Sequence, residues 1–301
     1  MCSGSLKLAM EQSARAFERH VDFEACIRTH YSILLESYSK RPFFYKTALK
    51  FSRLMVSFTL LSTYFSKPVP LLSEVKEFCM ARGFCSRNSL ESIFLLFRAL
   101  GFMTVSRHAD DSRLRVFSPS SQACEEIRLM LTSVVEPLGV MCPQTAVCSS
   151  MNGLDDRAYL ARYFKGFSVL LSHNVTIDLL MPDCYWLVKR DAGHTLMLAI
   201  YNDACALDNQ GASFRTSSYL SIAEQLSVSK THVIRLVQEG ADRGYFKIHS
   251  KTLLEVLPPF MVLVRRFMAY SFATCLHSLQ LSHADNKAAT HTQGVTGCRL
   301  M

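Results

Sequence analysis

Residues 86–105, SRNSLESIFLLFRALGFMTV, and residues 229–248, SKTHVIRLVQEGADRGYFKI, align over twenty positions without a gap, at an offset of 143. Ser86 falls on Ser229, Arg87 on Lys230, Leu90 on Val233, Ile93 on Leu236, Phe94 on Val237, Gly101 on Gly244 and Phe102 on Tyr245. Few of these pairs are identical, but each shares a physical role. Ser86 and Ser229 stand where an N-cap hydroxyl accepts from the first free backbone N–H groups of a helix. The apolar residues that follow recur at spacings of three and four, the pattern of one buried helix face. Gly101 and Gly244 supply the left-handed residue that ends such a helix, and the aromatic after each opens an extended run. A structural unit therefore occurs twice in this chain.

Working outward, Ser221-Ile-Ala-Glu224 has capping-box spacing, with Ile222, Ala223 and Leu226 on the inner face of a short helix. Ser227-Val228 then reads as a tight turn, so the second copy is two helices on a short turn followed by a strand. The first copy is approached through EVKEFCMARGFCSRNSLES and followed by SRHADDSRLRVFSPS, residues 106–120, an acidic, arginine-containing hairpin pattern leading into a helix. The second hairpin, Lys247 to Val256, is shorter and has no arginine at its tip.

The stretch YLSIAEQLSVSKTHVIRLVQEGADRGYFKI, residues 219–248, resembles the winged helix-turn-helix of the MarR superfamily of bacterial transcription regulators. The resemblance spans roughly 45–137 and 190–280 and is stronger for the pair of copies than for either alone. It implies a mainly α fold: two winged helix-turn-helix units with short β-hairpin wings, plus long N- and C-terminal packing helices. It also implies that the second helix of each motif enters a major groove of double-stranded DNA, where N-terminal side chains reach base edges. The candidate contacts are Arg87, Asn88, Ser89 and Ser92 in the first copy, and Ser229, Lys230, Thr231, His232 and Arg235 in the second. In the first wing, His108, Arg113 and Arg115 are placed to follow the backbone or enter the minor groove. One chain would then stand for a two-fold dimer, with its recognition helices about 34 Å apart. Glu91 and Ile234, on the same helix faces, are ambiguous: Glu91 can accept from cytosine or repel phosphate, and Ile234 can meet a thymine methyl or simply pack.

Charge distribution is consistent with that reading. Lys and Arg number 33 against 25 Asp and Glu, a net +8. By segment the net charge is 0 over 1–40, +7 over 41–115, −2 over 116–200 and +3 over 201–301, so the surplus sits on the two repeated units. With 301 residues, 49% hydrophobic, 19% charged and a mean hydropathy of +0.14, the chain is too apolar for general disorder and long enough for two domains. The longest apolar stretches are broken by charges such as Asp178, Arg265 and Arg266, so no membrane span is expected. MCSGSLKLAM carries no signal-peptide h-region. Eleven cysteines, an odd number without a CxxC pair, fit neither a disulfide framework nor a zinc site and favour a reducing, cytoplasmic setting. Cys85, beside a helix N-terminus, is the one thiol placed for redox sensing. Phosphate-binding loops, HExxH and GxSxG are absent, and Asp110-Asp111 and Asp155-Asp156 read as loop or helix-start residues; neither an enzyme nor a cofactor is expected.

The expected domains are a helical segment over 1–40, a first winged-helix domain over 41–140, a linker over 141–155 and a second winged-helix domain over 156–260. A C-terminal helix over 261–282 and a disordered tail over 283–301 complete the chain. Within these, 41–65 reads as one long apolar helix and 209–218 as a loop. The apolar terminal helices are suited to packing or to a homodimer. Two other functions fit the same pattern: a plasmid-type replication initiator built on tandem winged helices, and a protein-interaction scaffold with no affinity for DNA.

Overall fold

The computed structural model describes residues 2–143, 151, 153–208, 218–250 and 254–295. The described residues are mainly helical, with two small antiparallel two-stranded sheets. In chain order the elements are α1 (Ser3–Glu18), α2 (Phe23–Lys40), α3 (Pro42–Ala48), α4 (Phe51–Ser66), α5 (Leu72–Ala81), α6 (Arg87–Ala99), β1 (Met103–Arg107), β2 (Arg115–Pro119) and α7 (Ser121–Met141). There follow α8 (Asp156–Ser172), α9 (Ile177–Leu180), a 3-10 turn (Pro182–Cys184), α10 (Tyr185–Val188), α11 (Gly193–Asp208), α12 (Tyr219–Gln225) and α13 (Lys230–Asp242). β3 (Phe246–Ile248), β4 (Leu254–Val256) and α14 (Pro258–Val295) complete the series.

Local signals explain the repeated core. Helices α6 and α13 each run for 13 residues at the 143-residue offset. Ser86 Oγ accepts from the Ser89 N–H at 3.3 Å, and Ser229 Oγ from the His232 N–H at 3.2 Å. Beyond each helix, Gly101 and Gly244 take φ of 71° and 78°, a left-handed conformation that costs a glycine little. Leu90, Ile93, Phe94 and Phe97 are buried on one side of α6, and Val233, Leu236, Val237 and Gly240 on the same side of α13. Gly240 replaces a bulky residue because Trp186 and the Phe246 ring already fill that space; a Cβ there would overlap Phe246 and lie 3.1 Å from Trp186. Replacing either cap serine by Ala is expected to cost about 1 kcal/mol, and by Gly only a few tenths. Urea midpoints of Ser86→Ala and Ser229→Ala beside the glycine variants check this.

The duplication reaches further than the aligned twenty residues. The order long helix, short helix, long helix, short helix, 13-residue helix, hairpin, long helix runs over α2–α7, and again over α8–α14 with α9, the 3-10 turn and α10 in the second place. The compact units nevertheless cut across the repeats. One comprises Met1–Gln12, Met55–Thr176 and Phe272–Met301; the other comprises Ser13–Leu54 and Ile177–Ser271. Thus α8, which opens the second repeat, packs in the unit that carries α5 and α6, while α2, which opens the first, packs in the unit that carries α12 and α13. The linear domains 41–140 and 156–260 are therefore not the compact units.

In the first unit Phe58 stands edge-on to Phe164 and Phe167, at centroid separations of 5.2 and 5.3 Å. Gly166 brings α8 against the backbone of α14 at Ser278. Arg82 closes the unit's edge by donating to Asn174 and, at 2.9 Å, to Thr176 Oγ1. In the second unit α2 lies against α11: Tyr201 donates to Glu24 at 2.6 Å, and Arg265 forms an ion pair with the same carboxylate. Tyr38 donates to the Leu226 carbonyl at 2.9 Å, anchoring α2 to the turn between α12 and α13. Trp186 and Tyr245 stack at 5.6 Å.

Several sequence expectations are corrected. The apolar run 41–65 is two helices, with a break at 49–50 where neither Pro nor Gly stands; Tyr45, Ala48 and Leu49 are buried, so packing sets the break. The short helix before α13 is capped by Ser218, not Ser221, since the earlier start brings Tyr219 into the helix and buries it to 4% exposure. The last helix continues to Val295, past the end expected at 282. Residues 260–301 contain no proline to stop it, and Ala288-Ala289 favours helix. On α1 Leu6, Met10, Ala14 and Phe17 are buried, and on α14 Phe260, Val264, Met268 and Phe272. Most of the 209–218 loop and, within the 141–155 linker, residues 144–150 and 152 lie outside the described residues.

Candidate nucleic-acid interface

Each unit presents a short helix, a turn, a 13-residue helix and a hairpin. In the first, β1 and β2 pair in the register Met103↔Pro119 through Arg107↔Arg115. Leu71, just before α5, bridges Val116, and the Phe117 N–H donates to the Pro70 carbonyl at 3.2 Å. The hairpin is thereby fastened to the start of the helical pair, which gives it a fixed direction relative to α6. In the second, β3 and β4 pair from Phe246↔Val256 to Ile248↔Leu254, a shorter ladder.

On α6, Arg87, Asn88, Ser89 and Ser92 are all exposed, as the sequence predicts. Two of the hydroxyls are already engaged: Ser89 Oγ lies 2.9 Å from Ser86 Oγ, and Ser92 donates to the Asn88 carbonyl at 3.0 Å. Arg87 and Asn88 are consequently the side chains at this helix start best placed to reach a ligand. Glu91 forms an ion pair with Lys76 of α5, which offsets the repulsion a bare carboxylate there would exert on phosphate. Leu95, 65% exposed, continues the same face one turn on.

On α13, Ser229, Lys230, Thr231 and Arg235 are exposed, and Ile234 is 41% exposed among them. Ser229 serves as the cap. His232 departs from expectation: it is half-buried, and its Nε2 lies 2.9 Å from the Asp191 carbonyl oxygen. That ring secures α13 to the segment before α11.

The hairpins differ more than the helices do. Arg113, at the first tip, is 88% exposed and forms an ion pair with Asp111 at 3.0 Å, which holds the Asp111 carboxyl below its usual range. An exposed pair of this kind contributes little, so Arg113 can exchange its partner for an incoming anion at small cost. Arg115 donates to the Ser112 carbonyl at 2.7 Å, and His108 is half-buried. Arg107, which sequence reasoning missed, is exposed directly across the ladder from Arg115. Like charges opposite each other in a ladder destabilise it, so two facing arginines are a cost that a bound polyanion would relieve. In the second hairpin the central cross-strand pair is Lys247 and Glu255, of opposite sign, with His249 also on Glu255; at the 143-residue offset Lys247 matches Thr104, and Ser250 matches Arg107.

Among the described residues no group of three or more His, Cys, Asp or Glu is placed to hold a metal ion, and no helix is long and apolar enough to cross a membrane. Cys85 is half-buried immediately before the Ser86 cap. Comparison of the chain with family models, curated proteins and solved structures returns no match.

Proposed function

We propose that the protein is a sequence-specific regulator that binds double-stranded DNA through two winged helix-turn-helix units of MarR type in one chain, acting as an intramolecular pseudo-dimer. The observation that carries this reading is the pair of 13-residue helices at one offset, each capped by a serine, each with a basic residue exposed at its first position. Short helices precede both and hairpins follow both, the arrangement that lays the second helix in a major groove with its N-terminal turn toward the bases. Arg87 and Lys230 suit guanine O6 and N7, Asn88 suits adenine, and Arg107, Arg113 and Arg115 suit phosphate or a narrow minor groove. The reciprocal placement of α2 and α8 also supports a chain that does within itself what two subunits do in a symmetric regulator.

A salt titration on duplex DNA tests the reading. Each phosphate neutralised contributes about −0.9 to the log–log salt slope, so Lys230→Ala with Arg235→Ala is expected to flatten it by up to about 1.8. Binding of the unaltered chain that is insensitive to salt between 50 and 200 mM would reject DNA and favour the interaction scaffold, for which exposed Leu95 and Ile234 are the natural contacts.

A further inference from the structure

We infer that the DNA site is not a palindrome but two unlike half-sites: the first copy reads a mixed-sequence major groove with an A·T-rich flank, and the second reads a major groove alone. The inference rests on the DNA-binding function proposed above.

A homodimer presents the same side chains twice, and its operator mirrors that symmetry. Here the buried faces of α6 and α13 keep one character at equivalent positions, whereas the exposed faces diverge. Leu90 and Val233, Ile93 and Leu236, Phe94 and Val237 are all buried. Facing out, Arg87 stands where Lys230 does, which preserves a guanine-reading cation. After that the chemistry parts. Asn88, able to bond adenine through two groups, is matched by Thr231, which offers one hydroxyl and a methyl. Glu91, held by Lys76, is matched by Ile234, suited only to an apolar edge such as the thymine methyl. Ser92, its hydroxyl turned to the Asn88 carbonyl, is matched by Arg235; Leu95 is matched by Gln238. No single base sequence satisfies both sets.

The hairpins net the same charge, +1 each, but differ in its kind: Arg107, Arg113 and Arg115 against Asp110 and Asp111 in the first, Lys247 and Lys251 against Glu255 in the second. Arg107 and Arg115 face each other across the first ladder with Arg113 beyond them, so that hairpin attracts the strongly negative, narrow minor groove of A·T-rich DNA. In the second, Glu255 lies across from Lys247 and accepts His249 as well, and the ladder is only three residues long. That hairpin holds no arginine, and on its paired strands Lys247 and Glu255 cancel, so it offers a narrow minor groove less than the three guanidinium groups of the first.

Selection of the full chain on a library of randomised duplexes tests this. The expected result is an enriched site with two different halves, only one of them bordered by an A·T-rich segment. Asn88→Ala should relax base preference in one half, and Thr231→Ala in the other, each by about 5- to 150-fold at a single position. The double variant Arg107→Ala with Arg115→Ala should remove the flank preference and leave both major-groove halves unchanged. Enrichment of an inverted repeat with equal halves, or of one half-site alone, would overturn the inference while leaving DNA binding in place. If no sequence is enriched and no salt-dependent binding is seen, the proposed function falls and this inference with it.

Discussion

Gly166→Ala is expected to lower the stability of the unit containing α8 by about 3 kcal/mol or more, the upper end of what overpacking costs. A Cβ at this position would run into the carbonyl oxygen of Ser278 and lie 3.0 Å from the Ser282 amide nitrogen, both backbone atoms of α14. Backbone cannot turn aside as a flexible side chain can, so one helix has to move. The neighbours of this crossing, Phe164, Phe167, Leu170 and Leu279, are all buried, and displacement of either helix opens voids among them. Gly4, also helical, has nothing within 4 Å of the corresponding point. There the same substitution is expected to stabilise, by up to about 1 kcal/mol, through helix propensity alone. Denaturant midpoints of the two variants against the parent chain separate these cases. Equal midpoints for Gly166→Ala and the parent would show that α8 and α14 do not approach as closely as described.

Acid is expected to destabilise the second unit well before its carboxylates titrate. Nε2 of His30 on α2 and Nε2 of His194 on α11 lie 3.2 Å apart, and the His194 ring also meets Phe267 edge-on at 5.4 Å. Such a contact requires one nitrogen to donate and the other to accept, hence at least one neutral ring. Removal from solvent, reinforced by the His30 ring, pushes the His194 pKa down to about 3. Above pH 6.5 the ring is neutral in both the folded and unfolded chain and no proton is exchanged on unfolding. As the pH falls below 6.5, the unfolded chain takes up a proton that the folded one refuses. Stability is therefore lost over the window from 6.5 down to about 3, at about 1.4 kcal/mol per pH unit. From pH 6.5 to 4.5 the loss is roughly 2–3 kcal/mol. In the first unit His277, lowered by burial, acts in the same direction. Urea unfolding at half-unit steps from pH 7.5 to 4.5 should show a steeper decline for the parent than for His194→Gln, which cannot take up the proton. Identical slopes would remove His194 from the account.

Much of the candidate interface was legible in advance because its signals are local. A hydroxyl at an N-cap, apolar residues three and four apart and a glycine at the C-terminal stop each act over one or two turns. Ser86, Ser229, Gly101 and Gly244 accordingly stand in the structure as the repeat implies. The exposed positions of α6 and α13 follow from the same periodicity. What the pattern could not show was how an exposed side chain spends its hydrogen bonds: His232 is committed to a carbonyl 41 residues earlier in the chain, and Ser92 to its own helix. Nor could it show Arg107, whose significance depends on the strand opposite and emerges only from ladder register. A register is settled by what the sheet buries and by the turn between its strands, and the string of residues 103–107 alone contains neither.

The sequence by itself determined that one helix–turn–helix–hairpin unit occurs twice, where the 13-residue helix of each begins and ends, and that the surplus positive charge lies with these units, since all three depend on neighbours along the chain. Tertiary structure decided which long helix packs with which unit, so that α2 and α8 are exchanged between the repeats, and it brought His30 to His194 and Gly166 to Ser278. An amphipathic helix states that it has an apolar face, but many partners can cover such a face equally well. The choice among them belongs to the shapes that meet, and shape exists only once the chain has folded.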